Sequence, residues 1–172
     1  MRNNRIIVFC ALWAFLMLPA SMAQAADRAL GFALSGVVEK VLVKQGQKVS
    51  AGQALARLDT TPIKARLSAV KAELVAAAGV AELAQRRFDY AQEQFDAVSL
   101  SKVELDTARI ARDEALARQA KATARQTVLQ WRLARSTLKA VEAGRVKSVR
   151  AWPGLVVNLR SGNDPVFVIS VP

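Results

Sequence analysis

The chain has 172 residues and no histidine, so the commonest general base and the commonest metal ligand are both missing. Its one cysteine, Cys10, lies inside an apolar run near the N-terminus. It lacks the small preceding residues that lipid attachment needs. Once that segment is removed no thiol remains, which excludes a disulfide, thiol catalysis and a cysteine metal site. An enzyme is therefore not expected. The residues whose pattern suits a task form a short break, Val98-Ser99-Leu100-Ser101-Lys102, between two long helical stretches. Such a break can present a binding surface, provided that something holds it.

The first segment does not hold it. Arg2 and Arg5 precede 13 apolar residues, Ile6 to Leu18, followed by Pro19 and the small-residue pattern Ala23-Gln24-Ala25. That is the pattern of a secretory leader over residues 1–25, with Ala26 as the new first residue. The run is short against the ~20 residues of a spanning helix. Net charge is +11; subtracting Arg2 and Arg5 leaves +9, since no acid lies before Asp27. A basic balance suits nucleic acid or an anionic membrane surface. Export argues against nucleic acid and leaves the membrane surface.

The holding elements are helical. Residues 60–140 are rich in alanine and charge, with glycine only at 79 and proline only at 62. Thr60-Thr61-Pro62 opens a helix with a hydroxyl cap and a first-turn proline. Ile63, Leu67, Val70, Leu74, Ala77, Ala81, Ala84, Phe88, Ala91, Phe95 and Val98 then follow at alternating spacings of four and three. This is a coiled-coil seam. Ser101 and Glu104 form a capping box for a second helix. Its Ala108, Ala115, Ala122 and Leu129 recur every seven residues, while Arg112, Gln119 and Gln126 occupy the alternating positions. Exposure there, contact with a neighbouring subunit or a shifted register would each account for those polar residues. Helices over 62–98 and 101–139 would each be about 55 Å long. Residues 88–107 hold five acids and one base, Lys102, whereas the returning helix is rich in Arg and Lys.

Flanking the helices is an internal repeat. Counted from Gly36 and from Gly144, Val falls at +2 and +5, Gly at +10 and Val at +13 in both copies. After a short insertion Gly52 matches Gly162, Leu55 matches Val166 and Leu58 matches Ile169. Apolar–polar alternation around glycines reads as short strands and tight turns. One half of about 25 residues is too small to bury a core alone. The halves must pack on each other as a sandwich or flattened barrel, so the chain between them must go out and come back. The expected division is a leader at 1–25, a β-half at 26–59, a helical hairpin at 60–140 and a β-half at 141–172.

Split β-halves around a coiled-coil hairpin, behind a leader, resemble the periplasmic adaptor family. These are the membrane fusion proteins of the HlyD-like and RND-efflux type. The matching residues are Gly36-Val37-Val38-Glu39-Lys40-Val41 to Leu55-Ala56-Arg57-Leu58-Asp59, then Ser136-Thr137-Leu138-Lys139-Ala140 to Pro165-Val166-Phe167-Val168-Ile169, and the turn Ser101-Lys102-Val103-Glu104-Leu105-Asp106-Thr107-Ala108. The resemblance implies an α+β fold, a split lipoyl-like β-sandwich with the hairpin inserted. It implies a bridge between an inner-membrane transporter and an outer-membrane channel, with β-domains packed into a homo-oligomeric ring. In the family the hairpin tip docks on the channel through an Arg, Leu and Ser set. Ser101 matches the Ser, but Tyr90 stands where Arg is usual and Gln94 where Leu is usual. Ser101 also has a plain role as helix cap.

Full adaptors carry a β-barrel domain and often a membrane-proximal domain after the lipoyl-like one. The expectation here is a minimal adaptor, a truncated one or a protein that works beside a fuller partner. True lipoyl domains present a lysine on a tight turn between the halves. The hairpin replaces that turn, so no lipoyl or biotin attachment is expected, and no cofactor or metal. The leading expectation is a non-enzymatic periplasmic adaptor for efflux or secretion, with partner-binding residues Tyr90, Gln94, Val98, Ser99, Leu100, Ser101 and Lys102. A stand-alone periplasmic coiled-coil scaffold is the alternative.

Overall fold

A computed structural model describes residues 26–160, 162 and 165–171. The expected leader lies outside the described residues. The chain runs β1 (Ala26–Leu30), β2 (Gly36–Val41), β3 (Lys48–Val49), β4 (Ala54–Leu58), α1 (Thr61–Asp96), α2 (Lys102–Arg135), β5 (Thr137–Lys139), β6 (Gly144–Val149), β7 (Val156–Val157) and β8 (Phe167–Val171). The strands form two antiparallel sheets, ordered β1-β8-β6-β3 and β5-β4-β2-β7.

The repeat governs this topology. β2 and β6 occupy the same offsets from their glycines, as do β3 and β7. Each half sends its short strand into the sheet of the other: β3 pairs with β6, and β7 pairs with β2. The hydrogen bonds repeat as well. Gly46 N donates to Val146 O, and Gly154 N donates to Val38 O, both at 2.8 Å. Val146 N donates to Gln47 O at 2.9 Å, and Val38 N donates to Leu155 O at 2.8 Å. Gly46 and Gly154 sit at φ +82° and +93°, where a side chain would be strained. Register shifts fall at the same offset in both halves, between Val38 and Lys40 and between Val146 and Ser148.

The core fills the space between the sheets. Val38, Leu55 and Leu58 from the first half meet Val146, Val166, Phe167 and Ile169 from the second, with Phe32 at 1% exposure among them. Burial of each large side chain contributes about 1.5–3 kcal/mol, and residues of both halves share the one cluster. Val49 is buried, whereas its repeat partner Val157 is only half-buried. Gly144 is required by a close approach: a Cβ there would lie 2.4 Å from Ser170 O and 2.7 Å from Ile169 Cγ2. At the equivalent Gly36 the nearest atom, Leu58 Cδ1, would be 3.3 Å away.

The hairpin leaves this domain from β4 and returns into β5. Three details differ from the sequence expectation. Thr60 makes no side-chain cap; Asp59 Oδ1 accepts from Thr61 N at 2.9 Å instead. Thr60 itself is near-helical, at φ −96° and ψ −4°, so the residue before it has the reach. Hydrogen bonds from the Thr61 backbone, then from its side chain, hold the Asp59 carboxyl below its ordinary pKa. Second, α2 ends at Arg135 rather than near Lys139. Thr137–Lys139 instead covers the open edge of β4, with Leu138 opposite Ala56. Third, Val98 does not continue the seam, because α1 stops at Asp96 and Val98 is 92% exposed.

The rest of the seam lies where the spacing puts it. Leu67, Ala81 and Ala91 are buried, and the other positions from Ile63 to Phe95 are half-buried. On α2, Ala115 and Ala122 are buried, while Arg112, Gln119 and Gln126 are half-buried. The polar residues therefore lie on the seam and keep one side in water. Arg112 shows how: its guanidinium stacks 4.1 Å from the Phe88 ring centroid and pairs with Asp113 at 2.7 Å. At about 1.5 Å per residue the two helices extend roughly 50 Å from the sheets.

The close approach at Gly144 gives a direct check. Gly144→Ala should lower unfolding stability by about 1–3 kcal/mol through overpacking, and Gly36→Ala by less. Urea unfolding midpoints measure both. Equal midpoints for the parent and Gly144→Ala would show that β6 does not approach β8 in this way.

Candidate docking tip of the hairpin

The tip is built by the end of one helix and the start of the next. α1 closes with paired bonds: Val98 N donates to Phe95 O at 2.9 Å, and Ser99 N donates to Gln94 O at 2.9 Å. This is a Schellman closure, which needs a left-handed residue, ordinarily glycine, just after the helix. Here that residue is Val98, at φ +60°. A β-branched residue pays a steric penalty of about 1–2 kcal/mol in that region. The sequence therefore keeps an exposed aliphatic side chain where glycine would be more stable.

The start of α2 is capped on both sides. Ser101 N donates to Glu104 Oε2 at 3.0 Å, and Glu104 N donates to Ser101 Oγ at 3.3 Å. The Ser101 hydroxyl also donates to Glu104 Oε2 at 2.7 Å. The hydroxyl, then the backbone N–H, hold the Glu104 carboxyl below its ordinary pKa. Ser101 is thus a full partner in the cap. Lys102 reaches Asp106 at 3.8 Å with both side chains largely in water, a pair of little energetic weight.

The other expected tip residues divide. Val98, Ser99, Ser101 and Lys102 are exposed together at the turn, and Tyr90 is exposed two turns back on α1. Gln94 and Leu100 are half-buried, so less of each is offered to a partner. Ser99 Oγ donates to Ala97 O at 3.2 Å, which holds the turn closed. Val103, in the first turn of α2, is 75% exposed and was not among the expected tip residues. Its signal was available: it lies off the seven-residue row that begins at Ala108. Val98, Val103 and Tyr90 give the tip an apolar character. The nearby Asp89, Glu93 and Asp96 give it negative charge, and none of them is in an ion pair among the described residues.

No buried side-chain nitrogen or oxygen among the described residues lacks a hydrogen-bond partner. No helix among them is long and apolar enough to cross a membrane. No group of three or more His, Cys, Asp or Glu among them could hold a metal ion.

No family model matches the sequence, and no curated protein matches it. Solved structures do. The chain is similar to MacA from Actinobacillus actinomycetemcomitans, with a TM-score of 0.69, 20% identity and coverage of 85% of this chain and 51% of that one. It is similar to the membrane fusion protein Spr0693 from Streptococcus pneumoniae R6, at TM-score 0.64 and 22% identity over 85% of this chain and 59% of that one. It also matches the soluble domain of LipC, a membrane fusion protein of a type I secretion system, at TM-score 0.53 and 13% identity over 86% of this chain and all of that one. The chain spans about half the length of MacA and 59% of Spr0693. The fold is thus that of the membrane fusion proteins. More particularly, it is their α+β pairing of a lipoyl-like β-domain with a long helical hairpin.

Two measurements follow from the tip geometry. Val98→Gly should raise hairpin stability by about 1 kcal/mol through relief of the left-handed strain, seen as a higher Tm by helical circular dichroism. Ser101→Ala should cost about 1 kcal/mol at neutral pH. A carboxylate whose folded pKa is depressed stabilises above its unfolded pKa, and loses that contribution as pH falls through the folded value. The gap between Ser101→Ala and the parent should therefore persist above about pH 4.3 and narrow below it. Melts recorded across the acid range check the sign.

Proposed function

We propose that this chain is a non-enzymatic periplasmic adaptor of an efflux or secretion system. Its hairpin would link an inner-membrane transporter to an outer-membrane channel. The observation that carries this reading is mechanical. A β-domain whose halves interlock supports a rod of roughly 50 Å, and the rod ends in an apolar, acidic turn held in a strained conformation. The fold shared with Spr0693 and the LipC soluble domain, both membrane fusion proteins, supports it.

On this reading residues 1–25 are a cleaved leader that brings the protein to the periplasm. Residues 26–59 and 137–172 belong to the two β-halves and 60–136 to the hairpin, since β5 at Thr137–Lys139 pairs with β4. Docking on the channel falls to Val98, Ser99, Lys102 and Tyr90, with Gln94 and Leu100 shaping the turn from inside. Ser101 acts through the cap that sets the direction of α2. Neighbouring β-domains pack into a ring, and the exposed Val37, Trp152 and Val156 supply an apolar surface for that contact. The basic balance of the chain suits peripheral contact with an anionic membrane surface, and nucleic acid is not a partner.

Cysteines placed at 98 and 102 test the docking in cells. Crosslinks to an outer-membrane channel, together with loss of drug or peptide export on deletion, are expected. If no channel crosslink forms and deletion leaves export unchanged, the adaptor reading fails and a stand-alone scaffold takes its place.

A further inference from the structure

We propose that the foot of the hairpin binds a single-chain amphipathic carboxylate, of the fatty-acid type, with its head clamped between Arg66 and Arg132. The inference goes beyond the adaptor reading and does not rest on it.

The site is a departure from the hairpin's own pairing. Glu73 lies just before the seam residue Leu74 on α1, and Arg125 lies just before Gln126 on α2. They meet across one edge of the seam in a salt bridge of 2.6 Å. This is the opposite-charge pair usual on the flank of a coiled coil. One heptad nearer the sheets the equivalent positions are Arg66, before Leu67, and Arg132, before Leu133. Both line the same two cavities, as the antiparallel register requires of residues that face each other. Neither guanidinium is in an ion pair among the described residues. Both side chains are exposed, so their repulsion is weak. Two planar forks at one level fit one planar anion, which each can meet with paired N–H groups.

The surroundings define the rest of the ligand. On the side away from the sheets a groove of about 590 Å³ runs between α1 and α2. Ala69, Val70, Ala124, Val128 and Leu129 give it an apolar floor. That volume lies within the ~300–1,000 Å³ of small-molecule sites. On the side toward the sheets a second cavity, of about 500 Å³, includes Asp59. The Asp59 carboxylate accepts from Thr61 N and repels an anion on that side. The head therefore sits between the guanidiniums on the side of the groove, and the tail lies along the apolar floor.

A protein helix in the groove would bring acids turn after turn, and a bilayer face would meet the rim and leave the floor empty. The groove asks for one anion. The level of Glu73 and Arg125 is already neutral, and Lys121 on the rim is a compact, well-hydrated charge. A carboxylate held by Arg66 and Arg132 ties α1 to α2 where the rod joins the sheets.

Isothermal titration calorimetry with decanoate, on the chain exported under its own N-terminal segment, tests this. One saturable site is expected. Acetate has the head without the tail, and decyltrimethylammonium has the tail with the opposite charge; each should bind at least about tenfold more weakly. Arg66→Glu recreates the arrangement of Glu73 and Arg125. It should weaken decanoate binding about tenfold or more, yet leave the Tm of the unliganded chain at or above that of the parent. A folding defect would lower both. Decanoate binding that survives Arg66→Glu overturns the proposal. So does equal binding of decyltrimethylammonium, which would mean an apolar surface alone. So does tighter binding of a helical leucine–glutamate peptide that displaces decanoate, which would assign the groove to a protein helix. Absence of a saturable site overturns it too; if the same chain then binds phosphatidylglycerol vesicles, the arginines serve a membrane surface.

Discussion

The structure depends on an exchange of strands. β3 of the first half completes the sheet of the second, and β7 of the second completes the sheet of the first. Neither half has a closed sheet or a covered apolar face until the other is in place. Loop closure over the intervening 80 or so residues costs entropy that grows only slowly with length. A long insertion is therefore compatible with this core, provided that its two ends return to one place. The antiparallel hairpin meets that condition, since a helix that leaves from Leu58 must be matched by one that returns to Thr137.

What happens at the far end follows from the same constraint. The seam keeps the two helices in step, so the turn at 97–101 falls at a fixed distance from the sheets. The turn is closed by backbone bonds on the α1 side and by Ser101 and Glu104 on the α2 side. Between these two caps little freedom remains for Val98, which is held in a left-handed conformation with its side chain in water. Strain kept there costs stability that glycine would not lose.

Much of this was legible in the sequence, for identifiable reasons. The repeat could be read because buried valines and positive-φ glycines recur at fixed offsets, and each has a local chemical signature. The hairpin could be read because its seam holds one period for 33 residues, from Ile63 to Phe95. The capping box was visible as Ser101 and Glu104 alone. The misses share a different cause. Thr137–Lys139 follows α2 with no glycine or proline to end the helix, and it becomes a strand because β4 has an open edge far away in sequence. Thr60 has the right hydroxyl, but Asp59 reaches the same backbone first. Val98 fits the heptad count and leaves the helix because the chain reverses there. Pairing partners, competing caps and reversal points are set by three-dimensional neighbours, which a one-dimensional period does not contain.

Native-state hydrogen exchange tests the interlock most directly, at the amides of Val38, Gly46, Val146 and Gly154, whose hydrogen bonds cross between the halves. If each half completes the other, these four amides exchange only through global opening and report one common free energy. If Gly46 and Val146 exchange by a cheaper, separate opening while Val38 and Gly154 stay protected, the halves are independent and the constraint that fixes the hairpin is not there.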